Sequence, residues 1–273
     1  MQAFSRWNPP GGVLGTIVAQ TAVRVDSLER ERSALEVRAR ESTPGPPLMD
    51  ALRGSNVAVI AEVKRRSPSK GVIADRISAP AQAAAYERGG AAAISVLTEP
   101  LHFDGATADL EDVRSRVSIP VLKKDFHVEA VQVIEARALG ASALLLIARA
   151  IAPDRLPELV AVAAAWDIEP LVEVRDEAEL ERALASGARI IGINNRDLET
   201  LRIDPATAER LIPLIPGDRI AVAESGVASR DDVRRFADAG ADAVLVGSAV
   251  SAATEPEAAV RALTGVPRTA RAG

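Results

Sequence analysis

Residues 57–64 read Val57-Ala58-Val59-Ile60-Ala61-Glu62-Val63-Lys64, an apolar run that leads into a glutamate and, two positions on, a lysine. The run shows no polar alternation, which suits a strand buried on both faces in a parallel sheet. Glu62 and Lys64 are two apart, so both side chains leave one face of that strand at its C-terminal end. Further runs of the same kind lie at 93–97, 119–122, 143–147, 170–174, 189–193, 219–223 and 243–246, with helix-like segments between them. Eight buried strands alternating with helices predict an α/β fold, a (β/α)8 TIM barrel. The rival, a doubly wound open sheet, lacks the G-x-G-x-x-G turn expected after a strand.

Local punctuation agrees with that alternation. Gly90, Gly140, Gly187 and Gly240 are each followed by alanine, close a helical segment and open the next run, which predicts helix C-caps. They recur roughly every fifty residues, the length of two βα units. Asp176 with Glu179, and Thr254 with Glu257, have capping-box spacing, and Ser229 precedes an amphipathic run. Residues 1–48 read as an N-terminal extension. It comprises a flexible leader holding Gly11, Gly12 and Gly15, a helix over 14–40, and a Pro-Gly linker at 44–47. The barrel is expected over 49–265, with a frayed tail over 266–273.

A chain of 273 residues suits one such barrel. With 48 % hydrophobic residues and only 3 % aromatic, its core must be built from Ala, Val, Leu and Ile. The net charge of −5 gives no electrostatic reason to expect nucleic acid or an anionic membrane as partner. Over 24–40, Glu29, Glu31 and Glu36 interrupt the arginines, as on a solvated helix face. Cysteine is absent, which excludes disulfides and thiolate nucleophiles, and His102 and His127 alone cannot make a His-rich zinc site. Neither metal nor cofactor is expected. No apolar run reaches the roughly 18 residues of a membrane span, and no charged segment leads into an apolar signal. The expectation is a cytoplasmic protein that works as a monomer or weak homo-oligomer.

Barrel active sites lie at the C-terminal ends of the strands, and the polar residues of this sequence collect there. Strand 1 ends in Glu62 and Lys64. Strand 3 reads Val121-Leu-Lys-Lys-Asp-Phe126, with Lys124 and Phe126 on one face and Lys123 and Asp125 on the other. Strand parity sends Lys124 into the mouth and Lys123 toward a surface or helix group. Strand 5 brings Glu173, strand 6 brings Asn194 and Arg196, and strand 7 brings Glu224. Converging charges of this kind are costly to bury and point to a binding or catalytic site. Ser225-Gly226 and Gly247-Ser248 follow strands 7 and 8, where barrels often bind phosphate through glycine turns and short helix starts. A phosphorylated small molecule is the expected partner.

These strand ends resemble the indole-3-glycerol phosphate synthase family. The matching segments are Ile60-Ala-Glu-Val-Lys-Arg-Arg-Ser-Pro-Ser-Lys-Gly71, Ile94-Ser-Val-Leu-Thr-Glu99, 121–126, Pro170-Leu-Val-Glu173, Ile191-Gly-Ile-Asn-Asn-Arg-Asp-Leu198, Ala223-Glu-Ser-Gly226 and Val246-Gly-Ser248. The resemblance covers roughly residues 13 to 265. It departs at His102, where an aromatic residue is expected, and at 76–80, which is more polar than usual. It implies conversion of 1-(o-carboxyphenylamino)-1-deoxyribulose 5-phosphate to indole-3-glycerol phosphate, carbon dioxide and water. By the resemblance, Lys124 is the general acid of ring closure, its pKa expected to fall toward neutrality through burial or a neighbouring cation. Glu173 matches the base of the dehydration, with Glu62, Lys64 and Asn194 beside it, and the assignment of Lys64 or Lys124 to each acid step stays open. Arg196 fits an anion clamp, with Ser67 and Lys64 near the same groups. Phe103 and Phe126 match positions that pack the substrate ring, while Glu224, Ser225, Gly226, Gly247 and Ser248 complete the substrate site. Phosphoribosylanthranilate isomerase and the tryptophan synthase α subunit share the phosphate end without the Glu62, Lys64, Lys124 and Glu173 set. A non-catalytic phosphosugar-binding barrel would show an altered acid or base.

Overall fold

The computed structural model describes residues 8–74 and 77–271. Eight parallel strands close into a barrel. They are β1 (Ala58–Val63), β2 (Ala93–Leu97), β3 (Val121–Lys124), β4 (Ala143–Ile147), β5 (Glu169–Val174), β6 (Ile190–Asn194), β7 (Ile220–Glu224) and β8 (Ala243–Val246). β1 closes the ring by pairing Ala58 with Ala243 of β8 and Ile60 with Ala93 of β2. The expected eight runs match these strands to within two residues at either end. The glycines read as helix stops take the left-handed backbone that favours glycine, with φ of 94° at Gly90, 79° at Gly140, 84° at Gly187 and 96° at Gly240.

Side-chain alternation splits the apolar residues into two cores. Val59, Ile94, Leu144, Val172, Ile191 and Val244 face outward and pack beneath the helices. Ile60, Leu122, Leu145, Leu171, Val222 and Leu245 fill the barrel interior. The few aromatic residues leave both cores to branched aliphatic side chains, which suit the crowded interior of a barrel.

The N-terminal segment caps both ends of that interior. α1 (Gly12–Arg30) buries Leu14, Ile17, Thr21 and Val25, one stripe at helical spacing. The short helix Leu48–Ala51 places Leu48 and Met49 in the interior cluster, and the Met49 amide donates to Glu169 at the start of β5, 3.0 Å away. Between them α2 (Arg32–Glu41) lies on the outer helix Ala130–Ala138, with Ala39 against Ile134 and Ala138. The single helix expected over 14–40 is therefore two. Glu31 leaves helical geometry at φ −99° and ψ 3°, letting the two halves serve different surfaces. Gly12 and Gly15, expected in a loose leader, belong to α1.

Other local expectations also changed. Asp176 accepts from the Glu179 amide and Ser229 forms a capping box with Asp232, whereas the last helix, Pro256–Arg261, starts after Glu255 rather than at Thr254. In the polar 76–80 stretch, Arg76 lies outside the described residues, and the helix Ala79–Arg88 follows Ser78. The tail is docked rather than frayed as far as Arg271. Val57 donates to the Val266 carbonyl at 2.8 Å, Arg268 pairs with Asp242, and Arg271 reaches the same carboxylate at 2.8 Å. Residues 272–273 of that tail lie outside the described residues. No helix among the described residues is long and apolar enough to cross a membrane.

Candidate active site

A cavity of about 360 Å³ opens at the C-terminal mouth of the barrel. Every residue assigned to the site from the sequence lines it: Glu62, Lys64, Ser67, Phe103, Lys124, Phe126, Glu173, Asn194, Arg196, Glu224, Ser225, Gly226, Gly247 and Ser248. Strand parity explains part of the convergence: Glu62, Lys124, Glu173 and Glu224 are inward positions on the alternate strands β1, β3, β5 and β7, and the other residues come from the loops and short helices beyond the strand ends, with Asn194 closing β6.

Two lysine–carboxylate groups form the floor. Lys64 Nζ sits 2.7 Å from Glu62 Oε1. Lys124 Nζ bridges Glu173 Oε2 at 3.1 Å and Glu224 Oε2 at 3.2 Å. Glu224, grouped by sequence with the substrate-binding residues, thus shares the lysine with Glu173. The expected fall in the Lys124 pKa does not occur. Burial favours the neutral amine, yet the carboxylates of Glu224, Glu173 and Glu62 outweigh it and hold Lys124 protonated, above its ordinary range. Glu62 moves the other way: burial opposes its charge, but Lys64 and Lys124 keep it ionised below the ordinary value. Glu224 is pushed up to about 8 by burial and by the charge of Glu173, with Lys124 opposing. Its Oε1 is buried and has no hydrogen-bond partner among the described residues.

Two glycines make room for these carboxylates. A Cβ on Gly192 would collide with the Glu224 carboxylate and come within 2.7 Å of Leu171. A Cβ on Gly247 would collide with Glu62 Oε1 and lie 2.7 Å from Lys64 Nζ. Gly247 therefore leaves room for the floor of the site.

The walls divide by chemistry. Phe103 and Phe126 stand with ring centroids 6.1 Å apart and tilted by 36°. Phe103 rides on the short helix Pro100–Phe103, whose amides at Leu101, His102 and Phe103 all donate to the Glu99 carboxylate. Opposite, Asn194 accepts from the Arg196 amide at 2.9 Å, and Arg196 donates from Nη1 to the Leu201 carbonyl at 3.0 Å. Among the described residues Arg196 has no ion-pair partner, and burial pushes its pKa down. A half-buried guanidinium without a carboxylate is a ready anion receptor. At the end of β7, Ser225 and Gly226 both take positive φ, 64° and 88°. Such a turn can present successive N–H groups to an anion, and Ser248 opens a short helix beside it.

Sequence reasoning missed the apolar rim. Val13, Leu14 and Ile17 of α1 join Leu198 and Ile203 around the cavity. As ordinary members of an amphipathic stripe or loop, they carry no chemical signature. No group of three or more His, Cys, Asp or Glu side chains among the described residues is arranged to hold a metal.

Comparison with known proteins agrees over nearly the whole chain. A family model described as indole-3-glycerol phosphate synthase matches residues 14–263. The indole-3-glycerol phosphate synthase of a Nocardioides species is 51 % identical over 259 residues, covering 93 % of this chain and 98 % of the relative. Indole-3-glycerol phosphate synthase 1 of Streptomyces coelicolor is 48 % identical, covering 87 % and 90 %. Among solved structures, thiamine phosphate pyrophosphorylase from Pyrococcus furiosus superposes with a TM-score of 0.58 at 17 % identity, over 76 % of this chain and 93 % of that one, which shows the shared barrel fold. On the family match and these identities, the chain belongs to the indole-3-glycerol phosphate synthase family.

Proposed function

We propose that the barrel mouth converts 1-(o-carboxyphenylamino)-1-deoxyribulose 5-phosphate to indole-3-glycerol phosphate, carbon dioxide and water. The observation that carries this reading is Lys124 held between Glu173 and Glu224 on the floor of a cavity that also holds two phenylalanines and an arginine with no ion-pair partner among the described residues. Phe103 and Phe126 pack the substrate's aromatic ring. Arg196 takes one anionic end, and the turns at Ser225-Gly226 and Gly247-Ser248 take the phosphate.

Ring closure forms a bond between the carboxyl-bearing aromatic carbon and the ketone carbon. The ketone oxygen gains negative charge, and Lys124 protonates it. An alkoxide is more basic than an amine, so a lysine held charged by its glutamate neighbours still donates. The carboxyl group then leaves as carbon dioxide, and its bonding electrons restore the aromatic ring. Dehydration removes the new hydroxyl as water with one proton from a lysine, while Glu173 takes a proton from the adjacent carbon. The acids deliver two protons and the base recovers one, so each turnover draws one proton from solvent. Lys64 and Glu62 form the second acid–base pair, and Asn194 hydrogen-bonds the substrate. We place this work in the cytoplasm, in a monomer or weak homo-oligomer.

Carboxyl-labelled substrate tests the reading. One labelled carbon dioxide should appear per indole, with indole read by fluorescence. Binding of the substrate without either product would instead mark a non-catalytic phosphosugar-binding barrel.

A further inference from the structure

Arg24 of α1 lies outside the cavity wall yet is tied to the strand end that carries Lys124 and Phe126. Its Nη1 and Nη2 donate to Oδ2 and Oδ1 of Asp125 at 3.0 and 2.7 Å, a two-pronged pair. Asp125, 1 % exposed, also accepts from Thr98 Oγ1 at 2.8 Å and from the Phe126 amide at 2.8 Å. Thr98 in turn donates its amide to the Lys124 carbonyl at 3.1 Å. The carboxylate therefore holds the peptide unit after residue 125 directly and is linked to the one before it through Thr98.

The same helix reaches the second phenylalanine. Gln20 Oε1 meets His102 Nε2 at 2.7 Å, on the turn that ends in Phe103. Four residues further along α1, Arg24 also feels the charge of Glu99, the carboxylate that caps that turn. Leu14 and Ile17, on the same stripe of α1 as Thr21, line the cavity itself. One helix thus lends one face to the cavity and grips the two loops that carry the aromatic walls.

We propose that Arg24 is a positioning residue, which clamps Asp125 so that Phe126 meets the substrate's aromatic ring while Lys124 meets its ketone. The strand ladders already hold β3 within the sheet, pairing Ile94 with Val121 and Leu122 with Ala143. What they leave unset is the turn beyond Lys124, and that turn is where Asp125 acts. The guanidinium fork matters because it fixes both carboxylate oxygens; an ammonium supplies charge without that geometry. The role of the clamp rests on the proposed ring-closing reaction, but its effect on ring binding can be read without turnover.

The test compares Arg24→Ala and Arg24→Lys with the full-length parent by calorimetry, using two probes. One is the substrate with its ketone reduced to an alcohol, which carries ring and phosphate; the other is ribulose 5-phosphate, which carries the phosphate end alone. Arg24→Ala should weaken the ring-bearing probe by at least about tenfold and leave ribulose 5-phosphate within about twofold of the parent. Arg24→Lys should fall between, since charge returns without the fork. Equal weakening of both probes, or a lowered melting temperature with both affinities unchanged, would reduce the pair to a structural ion pair. Should Arg24→Ala not fold, the split between the two probes in Arg24→Lys decides. A parent that binds the ring-bearing probe but never turns over substrate overturns the proposed reaction and leaves this comparison intact.

Discussion

Lys123 and Lys124 are adjacent in sequence and face opposite sides of β3. Lys124 enters the mouth between Glu173 and Glu224, while Lys123 passes outward to Glu135 Oε2 at 2.8 Å and His127 Nε2 at 3.2 Å. Strand parity anticipates that division, but not its consequence for Lys123. The residue is 1 % exposed rather than a surface group, and Asp125 stands 3.6 Å from it. Lys123→Ala should therefore destabilise the fold by about 3–5 kcal/mol, the usual effect of breaking a buried pair. Denaturant unfolding measures this, and the folded fraction should keep its activity within a few-fold. A midpoint like the parent's would contradict the assignment.

Gly247→Val tests the floor of the cavity. The new side chain meets Glu62 and Lys64 before it meets any phosphate, so the damage should extend beyond binding. KM should rise, and kcat should fall by up to about 10²-fold, the scale of a one-ångström misplacement. Steady-state kinetics on a variant with a parent-like circular dichroism spectrum separates the two. A raised KM with unchanged kcat would leave Gly247 only its role in anion approach.

His127 should make stability depend on pH. Its Nδ1 donates to the Leu145 carbonyl at 2.7 Å, and its Nε2 faces the Lys123 ammonium. Burial and Lys123 push its pKa down to about 3, against the opposing charge of Asp125. An unfolded histidine titrates near 6.5, so between about 6.5 and 3 the unfolded chain binds the additional proton. Stability should then fall as pH drops through that window, by at most about 1.4 kcal/mol per unit from this group. His127→Gln should flatten the dependence between pH 6.5 and 4.5 in urea titrations. An equal slope in the variant would assign the dependence to other groups.

The donor set predicts metal independence. Cysteine is absent, and Glu173 and Glu224 are turned onto Lys124 rather than left to share a cation. Activity should survive exhaustive dialysis against EDTA. A loss restored only by a divalent ion would contradict the lysine-based mechanism.

The strands and the inward positions were legible because the two-residue period depends on neighbouring residues alone. Glu62 with Lys64, and Lys124 with Phe126, needed only that count. The partners were not legible. Lys123 finds Glu135 on the following helix, and Arg24 finds Asp125 across the molecule. The pairing of Glu224 with Lys124 was not legible either, because nothing local shows that Lys124 leans toward it. The break at Glu31 lies in a run of good helix formers, where only the surfaces served by α1 and α2 demand a bend. The tail looked loose because Arg268 and Arg271 find Asp242 only once β8 is in place.

The central claim is that Lys124 protonates the ketone at ring closure and that Glu173 acts afterwards, as the base of dehydration. Single-turnover reactions of Lys124→Ala and Glu173→Gln with carboxyl-labelled substrate test it most directly, with carbon dioxide and indole followed together. Lys124→Ala should slow both products by at least about 10²-fold, the scale of a lost general acid. Glu173→Gln should release carbon dioxide at a rate well above that of indole, because ring closure precedes the step it loses. Carbon dioxide released at the parent rate by Lys124→Ala, or the two products slowed in step by Glu173→Gln, would contradict this division of labour.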